Sequence, residues 1–118
     1  MENSEDATEI EAPVPGRAVR GSETGKPIMA ALDLLGRRGA LRIAWELREG
    51  RVLTFRALQA AAELPPGTLN TRLSELRAAD IVAADGGYRL SPRGTDLIIA
   101  LWPLLRWSEE WAGALGSK

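Results

Sequence analysis

Residues 64–82 read LPPGTLNTRLSELRAADIV, and their pattern decides the fold. Leu69, Leu73 and Leu76 fall four and three residues apart, which predicts a helix over about residues 66–79 that buries them and turns Thr68, Thr71 and Arg72 outward. Pro66 suits a first helical position, where the missing N–H has no partner to lose. Pro65 offers no side-chain oxygen to the unpaired N–H groups that follow, a loss of ~0.5–2 kcal/mol against Ser or Thr. Alternatively Thr68 is the cap and the helix starts one turn later.

Just upstream, Thr54 caps a predicted helix over Phe55–Ala62 with Phe55, Leu58, Ala61 and Ala62 inward. The turn ELPPG, residues 63–67, joins it to the next helix, so two short helices and a tight turn take the form of a helix-turn-helix. Downstream, IVAA (81–84) and YRL (88–90) flank the turn DGG (85–87), a hairpin signal. Ser91-Pro92 then opens a last helix, Ser as cap and Pro as first residue. Its apolar set includes Leu97, Ile98, Leu101, Leu104 and Leu105, and Pro103 is expected to kink or split it.

Towards the N-terminus, Pro27 begins a helix whose Ile28, Ala31, Leu32 and Leu35 recur as an amphipathic stripe, ended by Gly36. A second helix of about residues 40–49 carries Ala40, Ile43, Ala44 and Leu47 on one face, with Leu41 and Trp45 beside them, and Gly50 as its stop. It should be the central core helix. RVL, residues 51–53, suffices for a single pairing strand. The order helix, helix, strand, helix, helix, hairpin, helix is that of a winged helix: mainly α with a small β-hairpin.

At 118 residues the chain has room for one domain and a tail. Residues 1–25 hold six acids against Arg17 and Arg20, a charge of −4, and lack periodicity; they are expected to form a disordered acidic arm. Residues 26–118 hold 13 bases against 10 acids, +3, and form the winged-helix body. No apolar run approaches the ~18 residues of a membrane span, and no signal peptide is visible, so a cytoplasmic protein is expected. The absence of Cys and His excludes thiol chemistry and the usual zinc sites, and no cofactor or metal is expected. An enzyme would be left with carboxylate, Lys or Tyr88 chemistry; no nucleophile and base are paired in the sequence, and none is expected.

On the predicted second helix of the pair, Arg72 can contact guanine in bidentate fashion, and Thr68, Asn70 or Thr71 can reach phosphates or a thymine methyl. A solvated helix face is the competing reading. Gly67 either lets the backbone approach a phosphate closely, the N–H groups and helix dipole replacing a Lys, or records weakened DNA binding. Further positive charge sits at Arg37, Arg38, Arg42, Arg51 and Arg93, while Arg56 and Arg89 flank the reading head and are the expected phosphate contacts. Asp85 at the wing tip opposes such contact. Trp102, Trp107 and Trp111, three of the four tryptophans, crowd the end of the chain. Aromatics so concentrated suit a dimer interface; a pocket for a small planar aromatic effector between this helix and Trp45, or ordinary core, are the alternatives.

Three motifs, Leu-Asp-x-x-Gly at Leu32–Gly36, Leu-x-x-Arg-Leu-x-x-Leu at Leu69–Leu76 and Tyr-x-Leu-Ser-Pro-x-Gly at Tyr88–Gly94, occur in order and at fitting distances. In these the chain resembles the HxlR-type winged helix-turn-helix regulators of bacteria, relatives of the MarR group, over about residues 26–111. The resemblance implies a homodimer paired through its terminal helices, hence through Ile28, Leu32, Leu101, Trp102, Leu104, Leu105, Trp107 and Trp111. It also implies operator binding near regulated promoters, with Thr68, Thr71 and Arg72 facing the groove. The chain departs from the family pattern at Lys26 (often Cys), Gly39 (usually Trp), Pro65-Pro66-Gly67 (usually Ser-x-Lys or Ser-x-Arg) and in its clipped wing.

The expected function is therefore a homodimeric, sequence-specific transcriptional regulator, a repressor rather than an activator, on a pseudo-palindromic operator in double-stranded DNA. The alternative is a winged-helix adaptor that contacts proteins and binds DNA weakly or not at all.

Overall fold

The computed structural model describes residues 26–116; the acidic arm of residues 1–25 lies outside the described residues, as do residues 117–118. The described chain is mainly helical. In order it forms α1 (Pro27–Leu35), α2 (Ala40–Glu46), α3 (Phe55–Ala62), α4 (Pro66–Ala78), strands β1 (Val82–Ala84) and β2 (Tyr88–Leu90), and α5 (Pro92–Ala114).

The inward faces of α2, α3 and α4 meet in one apolar core. Ile43, Leu47, Leu58, Leu69 and Leu76 are fully buried there, joined by Leu34, Ala62, Leu64, Leu73, Ile81 and Val82. The leucine triad of α4 lies inward as its spacing requires. Truncating a buried leucine of this kind to alanine costs about 2–5 kcal/mol.

The helix starts follow local chemistry. Thr54 Oγ1 accepts from the Ala57 N–H at 3.1 Å, and Ser91 Oγ accepts from the Gly94 N–H at 2.9 Å. Pro27, Pro66 and Pro92 each occupy the first helical turn, where no N–H is needed. Between α1 and α2 the chain passes through Gly39 at φ +85°, and a Cβ there would stand 2.6 Å from Leu64 Cδ1. That double demand explains why no side chain, let alone a tryptophan, occupies this position.

β1 and β2 pair antiparallel, Val82 with Leu90 and Ala84 with Tyr88, around the predicted Asp85-Gly86-Gly87 turn. Leu53 adds a single bridge to the hairpin: its N–H donates to the Tyr88 carbonyl at 3.0 Å and its carbonyl accepts from Tyr88 at 2.8 Å. Phe55 and Tyr88, edge to face at 6.5 Å, pack behind that bridge. A Cβ on Gly94 would collide with the Ile81 carbonyl oxygen, so glycine lets the first turn of α5 lie against the strand entry.

One expectation is corrected and two are made more specific. The α1 stripe of Ile28, Ala31, Leu32 and Leu35 is not the buried one: Ala30 and Leu34 face the core, while Ile28 and Leu32 are 58% and 57% exposed. α1 is apolar on two sides, and the side of Ala30 and Leu34 is the buried one. The second helix ends at Glu46, with Leu47 as its cap, rather than reaching residue 49, the chain reversing through Glu49 and Gly50 with φ of +63° and +75°. Of the two outcomes expected at Pro103, a kink or a split, the split does not occur: α5 runs as one helix from Pro92 to Ala114. Pro103 and Ile99 are both exposed. Water can there serve the Ile99 carbonyl that loses its helical N–H partner.

Candidate nucleic-acid interface

α3 and α4 are joined by Glu63, Leu64 and Pro65. Glu63 ends α3 in the left-handed region at φ +57°, Leu64 plugs the core, and Pro65 turns the chain into α4 in an extended conformation. The first of the two possible starts is the observed one: α4 begins at Pro66, no side chain caps it, and Thr68 is a half-buried helical residue rather than a cap. Thr71 Oγ1 donates back to the Gly67 carbonyl at 3.1 Å.

With Leu69, Leu73 and Leu76 inward, the opposite side of α4 presents Gly67, Asn70, Thr71, Ser74 and Arg77. These positions follow one another at three- and four-residue steps and so lie in one row. Gly67, Asn70, Ser74 and Arg77 are exposed and Thr71 is half-buried. Asn70, Thr71, Ser74 and Arg77 make the row polar until the exposed Ala78, its residues are short apart from Arg77, and Gly67 has no packing role, since a Cβ there would meet nothing within 4 Å.

Arg72 is not in that row. It lies on the flank, 18% exposed, where its Nε donates to the Arg38 carbonyl at 2.9 Å and its Nη1 to Glu75 Oε1 at 2.9 Å. Glu75, 1% exposed, also accepts from Arg37 Nη1 on Oε2 at 2.8 Å, and Arg37 Nη2 reaches Asp33 at 3.0 Å. Removing one partner from a buried pair leaves an uncompensated charge and costs about 3–5 kcal/mol.

Around the turn, Arg56 on α3 and Arg38 before α2 line an open groove of about 570 Å³ with Gln59, Glu63 and Pro65. The guanidinium groups of Arg38, Arg56 and Arg77 make no hydrogen bond or ion pair among the described residues. On the hairpin, Arg89 Nη2 instead donates to the Asp85 carbonyl at 2.9 Å and its carboxylate at 3.0 Å. Arg93 Nε pairs with Asp80 at 3.2 Å, both side chains largely exposed.

Of the residues singled out from sequence, Gly67, Asn70 and Thr71 thus share one row, Arg56 stands across the turn from it, and Arg89 belongs to the hairpin. Thr68 and Arg72 sit off the row. Ser74 and Arg77 were missed as surface contributors, and Arg38 was counted only among the further positive charges; continuing the Gly67, Asn70, Thr71 row by four and three residues would have found Ser74 and Arg77. Glu75 left a weaker signal, an acid between two core leucines and three residues from an arginine.

A second surface is apolar. Leu41, Trp45, Leu101, Trp102, Leu104 and Leu105 line a groove of about 520 Å³ between α2 and α5, at the place expected for an aromatic pocket. Trp45 and Trp102 meet edge to face at 5.6 Å, and Trp107 stacks on Trp111 at 5.4 Å. Leu104, Trp107 and Trp111 are more than half exposed, as are Ile28 and Leu32 on α1. No group of three acidic, His or Cys side chains able to hold a metal occurs among the described residues, and none of their helices is long and apolar enough to cross a membrane. Comparison with known proteins finds no matching family model, no matching curated protein and no matching solved structure.

Proposed function

We propose that the protein is a homodimeric, sequence-specific DNA-binding transcriptional regulator, a winged helix-turn-helix of the HxlR type that its motifs resemble. The observation that carries this reading is the row on α4. Gly67, Asn70, Thr71, Ser74 and Arg77 give one side of the helix a low polar surface ending in an arginine with no partner among the described residues. A helix of that kind fits a major groove ~12 Å wide, where Asn reads adenine and Arg reads guanine by paired hydrogen bonds.

α3 and α4 are the helix-turn-helix, and the hairpin with Leu53 is the wing. Arg56 and Arg38, beside the start of α4, supply phosphate contacts. Arg89 and Arg93 add to them on the wing side, because exposed ion pairs such as theirs with Asp85 and Asp80 are worth ~0–1 kcal/mol and yield to a phosphate. The exposed apolar residues of α1 and α5 suit a two-fold interface. Two α4 helices would then meet half-sites about one DNA turn, ~34 Å, apart. Binding over a promoter would repress it.

The test is selection from a pool of genomic fragments, followed by a salt series on the best fragment. Enrichment of one near-palindromic sequence, with affinity falling steeply as salt rises, is the expected result. The second reading, a protein-contacting adaptor, is favoured by the uncapped Pro-Pro-Gly start of α4 and by Asp85 holding Arg89 at the wing tip. A stable dimer with no DNA affinity even at low salt would establish it.

A further inference from the structure

Glu75 is the one charged side chain buried among the described residues, set between Leu73 and Leu76 on α4. Each of its oxygens is held by a different arginine, Oε2 by Arg37 at 2.8 Å and Oε1 by Arg72 at 2.9 Å. Arg37 continues to Asp33 on α1 at 3.0 Å, and Arg72 to the backbone carbonyl of Arg38 at 2.9 Å. The charges alternate along Asp33, Arg37, Glu75 and Arg72, and the cluster ties α4 to the loop before α2 and to α1.

Such a cluster adds little net stability over apolar side chains of the same volume. What it adds is direction. Leucine contacts tolerate a roll of the helix, whereas paired charge-assisted hydrogen bonds hold at one orientation. A side-chain tip about 5 Å from the axis of a helix ~10 Å across moves by about 2 Å on a roll of about 20°. That displacement breaks a base contact.

We propose that the buried Arg37–Glu75–Arg72 cluster sets the rotation of α4, and that Glu75 and Arg72 are positioning residues for DNA specificity rather than residues that touch DNA. The inference rests on the DNA-binding reading above and deepens it. Arg72, by residue type the obvious base reader, faces inward, and readout falls to Asn70, Ser74 and Arg77.

The experiment compares Arg72→Met, Glu75→Gln and the double variant in the full chain. Affinities for the selected fragment and for random duplex are measured over a salt series. Both single variants should lower discrimination between the two DNAs at least tenfold, and the double variant should lose no more than either. In Arg72→Met the slope of log affinity against log salt should stay at the wild-type value, because no phosphate contact is removed. A slope shallower by about one overturns the proposal, as does full discrimination in Glu75→Gln.

A second measurement needs neither DNA nor a variant: exchange of the Arg72 Nε–H with water, followed by NMR in the wild-type protein. Exchange much slower than that of Arg56 is expected, and exchange equally fast would overturn the cluster. Wild-type protein that selects no fragment would sink the DNA reading and the specificity role resting on it. Slow Arg72 exchange would still support the cluster as the device that orients α4.

Discussion

At the scale of single residues, Gly67 separates what the fold needs from what the surface does. A side chain there would meet no atom within 4 Å, and its backbone is helical, so alanine fits without strain. Gly67→Ala should therefore stabilise the protein by about 0.4–1 kcal/mol through the unfolded state, read as a rise in Tm. If the bare backbone approaches a phosphate, the same change should weaken operator binding at least fivefold. A raised Tm with unchanged affinity would show that no close approach occurs. Gly39 is the opposite case: its φ of +85° and the nearby Leu64 demand glycine for folding alone. Both were visible as departures from a family pattern, but only geometry tells the surface glycine from the structural one.

At the scale of elements, the two helix caps read from sequence carry unequal weight. Thr54 is exposed and makes a single capping bond. Ser91 is buried, and besides capping α5 its hydroxyl donates to the Asp80 carbonyl at 2.6 Å. Thr54→Ala should cost about 1 kcal/mol, near the typical loss for a cap. Ser91→Ala should cost more, roughly 2–3 kcal/mol, because Ser91 is itself buried and the change also removes the donor to the part-buried Asp80 carbonyl. Urea titration of the two variants checks the order; equal losses would mean that the Asp80 bond contributes nothing. α3, α4 and the hairpin were legible because their apolar spacing and punctuation agree. The stripe of α1 was not, since Ile28 and Leu32 share a face by the same periodicity as Ala30 and Leu34. Periodicity names faces and leaves open which of them is inside.

At the scale of the whole molecule, the exposed apolar residues of α1 and α5 argue for a second copy. Trp107 and Trp111 stack on each other, each more than half exposed, so neither is needed to fill the core. On the proposed homodimer, Trp107→Ala with Trp111→Ala should leave the helical circular dichroism intact and give a monomer in sedimentation where the unaltered chain gives a dimer. It should also weaken operator binding at least a hundredfold, since the second half-site contact is no longer intramolecular. A dimer that survives the double change would place the interface elsewhere.

The sequence by itself determined the number and order of the elements, the inward leucines of α4, the caps at Thr54 and Ser91 and the hairpin turn. These depend on neighbours within one or two turns of chain, which a local pattern records. Only the tertiary structure decided which stripe of α1 faces the core, that Gly39 must clear Leu64, and that Arg72 turns in to Glu75 and the Arg38 carbonyl rather than out. Gly39 and Leu64 are 25 residues apart and Arg72 and Arg38 are 34, separations that no local pattern records. Glu75 stands three residues from Arg72 in the sequence, but its burial and the Arg38 carbonyl that completes the arrangement come from the folded neighbourhood alone.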